Sequence, residues 1–193
     1  MSNFNLLGIS GALRRGSLNT RILHEAARLS DARLRVADMR LPLYDGDLEA
    51  ADGIALQALM LAGQIEAADA VLIASPECSL SFSGVLKNAL DWVARIEENP
   101  WQDKPVGIVS VVSDEWDGTQ AQQALRQVMV PFSPRLIHAP GLVLLGSDGF
   151  FDHEGRLTGD QDARQLFGLM NELRAEAGLE ILPDPFEDQQ AEF

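Results

Sequence analysis

The residues best suited to chemistry lie near the start of the chain, in Gly8-Ile9-Ser10-Gly11-Ala12-Leu13-Arg14-Arg15-Gly16-Ser17, with Asn19 and Thr20 just beyond. Glycine lets backbone N–H groups approach an anion, hydroxyls donate to it, and arginine neutralises it. A helix opening at Ser17 would add the partial positive charge of its N-terminus. Three known patterns can be separated here. Gly8, Gly11 and Gly16 do not space as G-x-G-x-x-G, so the dinucleotide fingerprint is absent. Gly11 and Gly16 have P-loop spacing, but Ser17-Leu18 stands where Lys-Ser/Thr belongs, so no lysine reaches a γ-phosphate. Gly8-Ile9-Ser10-Gly11 is not the G-x-S-x-G elbow of hydrolases. What remains suits a terminal phosphate monoester held by hydroxyls, amides and arginine without a metal. A plain strand-to-helix turn is the alternative, and position, glycines, hydroxyls and charge together favour the phosphate.

A second group, Ser75-Pro76-Glu77-Cys78-Ser79-Leu80-Ser81-Phe82-Ser83, is rich in small polar residues and could line one edge of a planar heterocycle. Glu77 reads either as a ring-edge acceptor or as a plain loop carboxylate, and Phe82 as a core plug. Cys78 has no histidine in its loop to activate it, so a nucleophile is not supported. His24, His138 and His153 are isolated and form no metal spacing with each other or with Cys78. His24 is expected to be structural, on the first helix. Asp114, Glu115 and Asp117 read as a solvated loop. Trp92 reads as core or as a subunit contact, and Trp116 as a ligand border or simple packing.

Charge reinforces the first site. The chain has 193 residues, with 15 Lys or Arg against 29 Asp or Glu, a formal net charge of −14. Composition alone would place about four acids ahead of Glu25, yet none is there, while Arg14, Arg15 and Arg21 are. An anion bound in that segment escapes local like-charge repulsion. The acidic balance argues against a general nucleic-acid binder, which needs a basic footprint. There is no apolar run long enough to span a membrane and no basic start of the signal-peptide kind. One cysteine fits a reducing cytoplasm.

The elements that must position these loops follow from periodicity. Apolar runs at 4–9, 70–74, 106–112 and 141–145 and an alternating stretch at 33–38 predict five strands. Helical spacing predicts helices from about Leu18, over 54–68, 84–96, 119–130 and 161–177, with loops at 41–53, 75–83, 113–118 and 147–159. Continuous apolar strands indicate a parallel sheet covered on both faces. The alternating order predicts a doubly wound α/β sandwich with five parallel strands in order 2-1-3-4-5. Residues 1–182 are expected to form one domain, and 183–193 an acidic mobile tail. Ligands in such folds bind beyond the strands' carboxyl ends, where strand order reverses. That singles out loops 10–19, 75–83 and 113–118.

The runs Gly11 to Asn19 and Ser75 to Trp92, above all Gly84-Val-Leu-Lys-Asn-Ala-Leu-Asp-Trp92, resemble the NADPH-dependent FMN reductase family, which has a flavodoxin-like fold. Lys104-Pro105-Val106, Gln120 to Arg126 and Phe151 to Thr158 resemble it as well. The family pattern G-S-x-R-x-x-S-x-N maps Arg14, Ser17 and Asn19 onto phosphate-binding roles, with Ala12 in place of the pattern's serine. Its P-E-Y-N maps Pro76 and Glu77 onto the flavin edge, with Cys78 and Ser79 replacing Tyr and Asn. The resemblance implies non-covalent FMN held by Ser10, Arg14, Ser17, Leu18, Asn19, Pro76, Glu77, Cys78, Ser79, Ser81, Ser113 and Gly118. It implies reduction by NADPH or NADH and reoxidation by a quinone, free flavin, azo dye or metal oxyanion. Flavin N5 carries the hydride in such enzymes, so no catalytic side chain is assigned. A homodimer or homotetramer is implied too. The rival reading is a flavodoxin-type electron carrier or an FMN-binding protein without turnover; the two arginines favour the reductase.

Overall fold

The computed structural model describes residues 3–112, 118–137 and 141–186. Its elements in chain order are β1 (Phe4–Ser10), α1 (Leu18–Leu29), β2 (Ala32–Val36), α2 (Gly46–Asp52), α3 (Leu56–Ala67), β3 (Ala70–Ala74), α4 (Gly84–Val93), β4 (Pro105–Val112), α5 (Thr119–Met129), β5 (Arg135–Leu136), β6 (Leu142–Leu145) and α6 (Asp160–Glu176). A 3-10 turn, Val130–Phe132, extends α5.

Alternation along the strands builds two cores, one on each face of the sheet. Phe4 and Leu6 of β1, Ala70 and Leu72 of β3, and Val109 and Val111 of β4 pack with α1 and α6. Leu7 and Ile9, Val71 and Ile73, and Val106 and Ile108 face the other way, against α3, α4 and α5. The predicted three-layer sandwich is thus present, with every strand pair parallel and the order β2-β1-β3-β4-β5.

The fifth position differs from expectation. Two short pieces share the β4 edge: Arg135 and Leu136 pair with Pro105 and Val106, and Leu142 to Leu145 pair with Val109 to Val112. The predicted strand is the second piece. The first is two residues long and carries no readable alternation. The segment 41–53, expected to be a loop, contains α2, capped by the Asp45 carboxylate accepting from the Asp47 N–H at 2.9 Å. No residue of α2 is buried, so it has no apolar stripe to read. Helix α4 ends at Val93 rather than 96. His24, expected to be structural, is exposed on α1.

Glu25 ties α1 to the 150–158 turn. Its buried carboxylate accepts from Arg28 Nε at 2.6 Å, Arg28 Nη2 at 2.8 Å and the Leu157 N–H at 3.2 Å. Near the C-terminal end, the expected tail begins with a docked turn. The Phe186 ring meets Phe167 edge to face, and its carbonyl accepts from Arg164 at 3.1 Å. Residues 187–193 lie outside the described ones.

Candidate functional site: a cleft at the switch point

Between β1 and β3, chain order reverses, and α1 crosses to one face while α4 lies on the other. The loop leaving β1 is held to its neighbours before any ligand is considered. Gly11 N–H donates to the Ala74 carbonyl at 2.8 Å, extending the β1–β3 pairing by one step. A Cβ on Gly11 would stand 2.9 Å from Leu86 Cδ1 and Ser83 Oγ and 3.0 Å from Pro76 Cδ. Only glycine allows the first and second site loops to approach this closely. Gly16, at φ +72°, then turns the chain into α1.

At the start of α1 the polar groups divide into two sets. Ser10 is buried, its hydroxyl 2.8 Å from that of Thr20, and its Oγ accepts the Ala12 N–H at 3.3 Å. Asn19 is buried with both ends of its amide engaged by the Val111 backbone. These two side chains position the loop. Ser17, by contrast, is buried at the N-cap but makes no side-chain capping bond. The first turn of α1 carries no acid, and Arg14 is exposed with no ion pair among the described residues. The N–H groups of Leu18 and Asn19 precede any carbonyl that could accept them within the helix. Donors and positive charge therefore converge with nothing among the described residues to use them.

These residues open onto a cleft of about 350 Å³ lined by Ala12, Arg14, Ser17, Leu18, Asn19, Pro76, Glu77, Val111, Val112 and Gly146. That size is within the range of cofactor pockets. Six of the predicted site residues meet here. Val111, Val112 and Gly146 were missed by sequence reasoning, and Ala12 was read only as the residue replacing the pattern's serine. Gly146 N–H donates to the Val112 carbonyl at 2.8 Å, and a Cβ there would lie 2.6 Å from Leu18 Cδ1 and 2.7 Å from Val111 Cγ1. Its role follows from strand pairing to β4, which no local spacing reveals.

The second loop forms one edge of the cleft. Glu77 is half-buried and its Oε2 accepts the Ala121 N–H in the first turn of α5 at 3.4 Å. The carboxylate thus serves an unpaired helix N–H as well as facing the cleft. Cys78 and Ser81 exchange backbone hydrogen bonds at 2.7 and 3.0 Å around a tight turn. Its two central residues, Ser79 and Leu80, both have positive φ, at +50° and +61°. Left-handed backbone at leucine costs on the order of 1–2 kcal/mol. Cys78 is a free, exposed thiol, and Leu80 is exposed beside it.

The third loop is described only at Gly118, buried at φ +73° at the start of α5; Val143 Cγ1 and Val112 Cγ1 would stand 2.9 and 3.0 Å from a Cβ there. Ser113, the Asp114, Glu115 and Asp117 cluster and Trp116 lie outside the described residues, as does His138. Among the described residues no group of three His, Cys, Asp or Glu side chains is placed to hold a metal. Among those residues no helix is long and apolar enough to cross a membrane. Trp92 belongs to the core, its indole N–H donating to the Pro42 carbonyl at 2.8 Å. Phe82 packs against the core under α3 and α4.

Comparison with known proteins agrees with this geometry. The family model described as NADPH-dependent FMN reductase matches residues 4–148. An NAD(P)H-dependent FMN reductase of Pseudomonas aeruginosa is 38% identical over 85% of this chain and 89% of its own length. A quinone reductase of Escherichia coli is 34% identical over 67% of this chain and 71% of its own. Among solved structures, the flavoenzyme NAD(P)H:(acceptor) oxidoreductase FerB of Paracoccus denitrificans superposes with a TM-score of 0.79 at 24% identity, covering 91% of this chain and 97% of its own. The switch-point cleft, the unspent donors at the start of α1 and these matches agree: the chain belongs to the NADPH-dependent FMN reductase family.

Proposed function

We propose that this chain passes electrons from NADPH or NADH through FMN, held in the switch-point cleft, to a small acceptor, a quinone first among them. The observation that carries the site assignment is the set of unused donors around Ser17 and Arg14, facing the Pro76–Glu77 edge. A terminal phosphate fits there: Arg14, the Ser17 hydroxyl and the N–H groups of Leu18 and Asn19 hold it. Ser10 and Asn19 keep those donors in place from behind. Pro76, Glu77, Cys78, Ser79 and Ser81 border the ring in this reading, with Gly118 on the third side; Ser113 lies outside the described residues. FMN supplies the hydride chemistry itself. The chain's tasks are to bind, to orient and to leave one ring face open to donor and acceptor in turn, so no side chain is assigned an acid or base role.

The quinone assignment is supported by the quinone reductase likeness. Residues 1–182 act in this reading as one FMN-binding unit. A second copy of the chain is the occupant we assign to the exposed apolar side chains of the 43–60 segment, Leu43, Leu48, Leu56, Leu59 and Met60. Helix α2 has no buried residue and is tied to the segment just after α4 by the Arg95–Glu49 ion pair at 2.9 Å. A subunit contact gives that surface a core. With its lone cysteine, the protein is assigned to the reducing cytoplasm.

Anaerobic addition of NADPH to the FMN-loaded protein tests the reading. Rapid bleaching of the flavin, followed by recovery on adding a quinone, is expected. Flavin that stays oxidised with either nicotinamide donor would favour the electron-carrier reading instead.

A further inference from the structure

The loop joining β1 to α1 has two sides. The side toward β3 closes the flavin cleft. The side toward β2 closes a second cleft, of about 290 Å³, where the loop faces the segment leaving β2. Its cationic residues are Arg14, Arg15 and Arg40, and its one carboxylate is Asp38. In a chain of formal charge −14 this is a local reversal of sign. Ser10 and Thr20, hydroxyl to hydroxyl at 2.8 Å, also line it.

Arg40 bridges the gap. Its Nη2 donates to the Leu13 carbonyl at 3.3 Å and its Nη1 to Asp38 Oδ1 at 3.2 Å. That ion pair is largely exposed on both sides, 63% for Arg40 and 74% for Asp38, and is therefore held weakly. Arg15, like Arg14, makes no ion pair among the described residues. Exposed forked donors suit an anion with several oxygens, and a phosphate monoester carries nearly two charges at neutral pH.

We propose that this second cleft takes the 2′-phosphate of NADPH, gripped by Arg15 and Arg40, and so sets a preference for NADPH over NADH. The inference rests on the reductase reading above. The two donors differ only in that phosphate, so any preference must arise where it lies. The flavin's own phosphate is assigned elsewhere, because its ring must reach Pro76 and Glu77 and these line the other side of the loop. The two clefts share Ala12 and Arg14 as a common wall. A nucleotide with its phosphate held by Arg15 and Arg40 would pass along this wall toward the flavin cleft. Asp38 opposes the anion and limits the affinity.

The test is calorimetric titration of the FMN-loaded protein with 2′-AMP, 5′-AMP and inorganic phosphate. Tighter binding of 2′-AMP than of the other two is expected. Arg15→Ala and Arg40→Ala should each weaken 2′-AMP by about tenfold, while Asp38→Asn should strengthen it. The ratio of kcat/KM for NADPH to that for NADH should fall in the arginine variants and rise in Asp38→Asn. The flavin spectrum reports folding in each variant. Equal affinities for 2′-AMP and 5′-AMP would overturn the proposal, as would arginine variants with an unchanged ratio. Phosphate binding as tightly as 2′-AMP would reduce the cleft to a general anion site and also overturn it. A flavin that neither donor reduces would instead count against the reductase reading, while the 2′-AMP titration would still decide whether the cleft recognises the monoester.

Discussion

Asn19 Oδ1 accepts the Val111 N–H at 3.0 Å and its Nδ2 donates to the Val111 carbonyl at 2.8 Å, across 92 positions of sequence. The pairing explains how the first turn of α1 is fixed at the sheet's edge. Strand β3 ends at Ala74, opposite Val109, and the Ser75 N–H takes the Val109 carbonyl. Val111, two residues on, points its backbone groups to the same side and finds no strand there. Asn19 acts as the missing partner. Asn19→Ala leaves two buried backbone groups unpaired, at about 1–3 kcal/mol each. Urea denaturation should show a loss of that order, and FMN should bind more weakly because the donors ahead of Asn19 lose their anchor. A variant with wild-type stability would show that Val111 finds another partner.

Gly11→Ala is expected to separate the two site loops. The added carbon meets Leu86, Ser83 and Pro76 at about van der Waals overlap, and such overpacking costs about 1–3 kcal/mol. Gly168→Ala in α6 is the control, since nothing lies within 4 Å of the new carbon and helix propensity should add about 0.5–1 kcal/mol of stability. Thermal melts of both variants check the pair. A Gly11→Ala variant as stable as the wild type would show that the loops separate freely.

Much of this was legible in the chain itself. Continuous apolar runs such as Ala70 to Ala74 marked the parallel strands, and glycines, hydroxyls and arginines between Gly8 and Ser17 pointed to the loop that lines the switch-point cleft. Features that depend on distant pairing were not legible. Gly146 enters the cleft because β6 pairs with β4, and β5 exists only as two residues beside Pro105 and Val106. The division of labour at the start of α1 was hidden as well. Ser10, Ser17 and Asn19 look equivalent as polar residues, and only packing shows that Ser17 alone makes no side-chain hydrogen bond at the helix cap.

Asp152 gives the fold a pH dependence in acid. Its carboxyl is held below its ordinary value, first by the Arg156 N–H and also by the Glu154 N–H, against an opposing effect of burial. A carboxyl lowered in the folded state stabilises it above the unfolded value, and the contribution fades as pH falls through the folded value. Asp152→Ala should therefore be less stable than wild type at about pH 7, with the gap closing toward about pH 3. Denaturation midpoints at the two pH values measure it. A gap of constant size would mean that the carboxylate's charge is not involved.

Cys78 is exposed in the turn proposed to edge the flavin ring, where the family pattern carries tyrosine. Its loop contains Glu77 and no base, so nothing local favours a thiolate. Cys78→Ala should keep FMN and most NADPH-driven quinone reduction. Cys78→Tyr should narrow the range of acceptors by filling the space the small residue leaves. Steady-state rates with a small and a bulky quinone compare the three proteins. Normal FMN binding with a hundredfold loss of turnover in Cys78→Ala, about 2.7 kcal/mol of barrier, would make the thiol chemical.

The placement of the FMN phosphate at Arg14 and Ser17 is tested most directly by titrating the flavin-free protein with FMN and with riboflavin, which differ only in that phosphate. The wild type should prefer FMN strongly. In Arg14→Ala the loss of a charge-assisted hydrogen bond, about 1.5–3 kcal/mol, should weaken FMN by about tenfold or more and leave riboflavin nearly unchanged. Equal losses for both flavins, or no preference for FMN in the wild type, would contradict it.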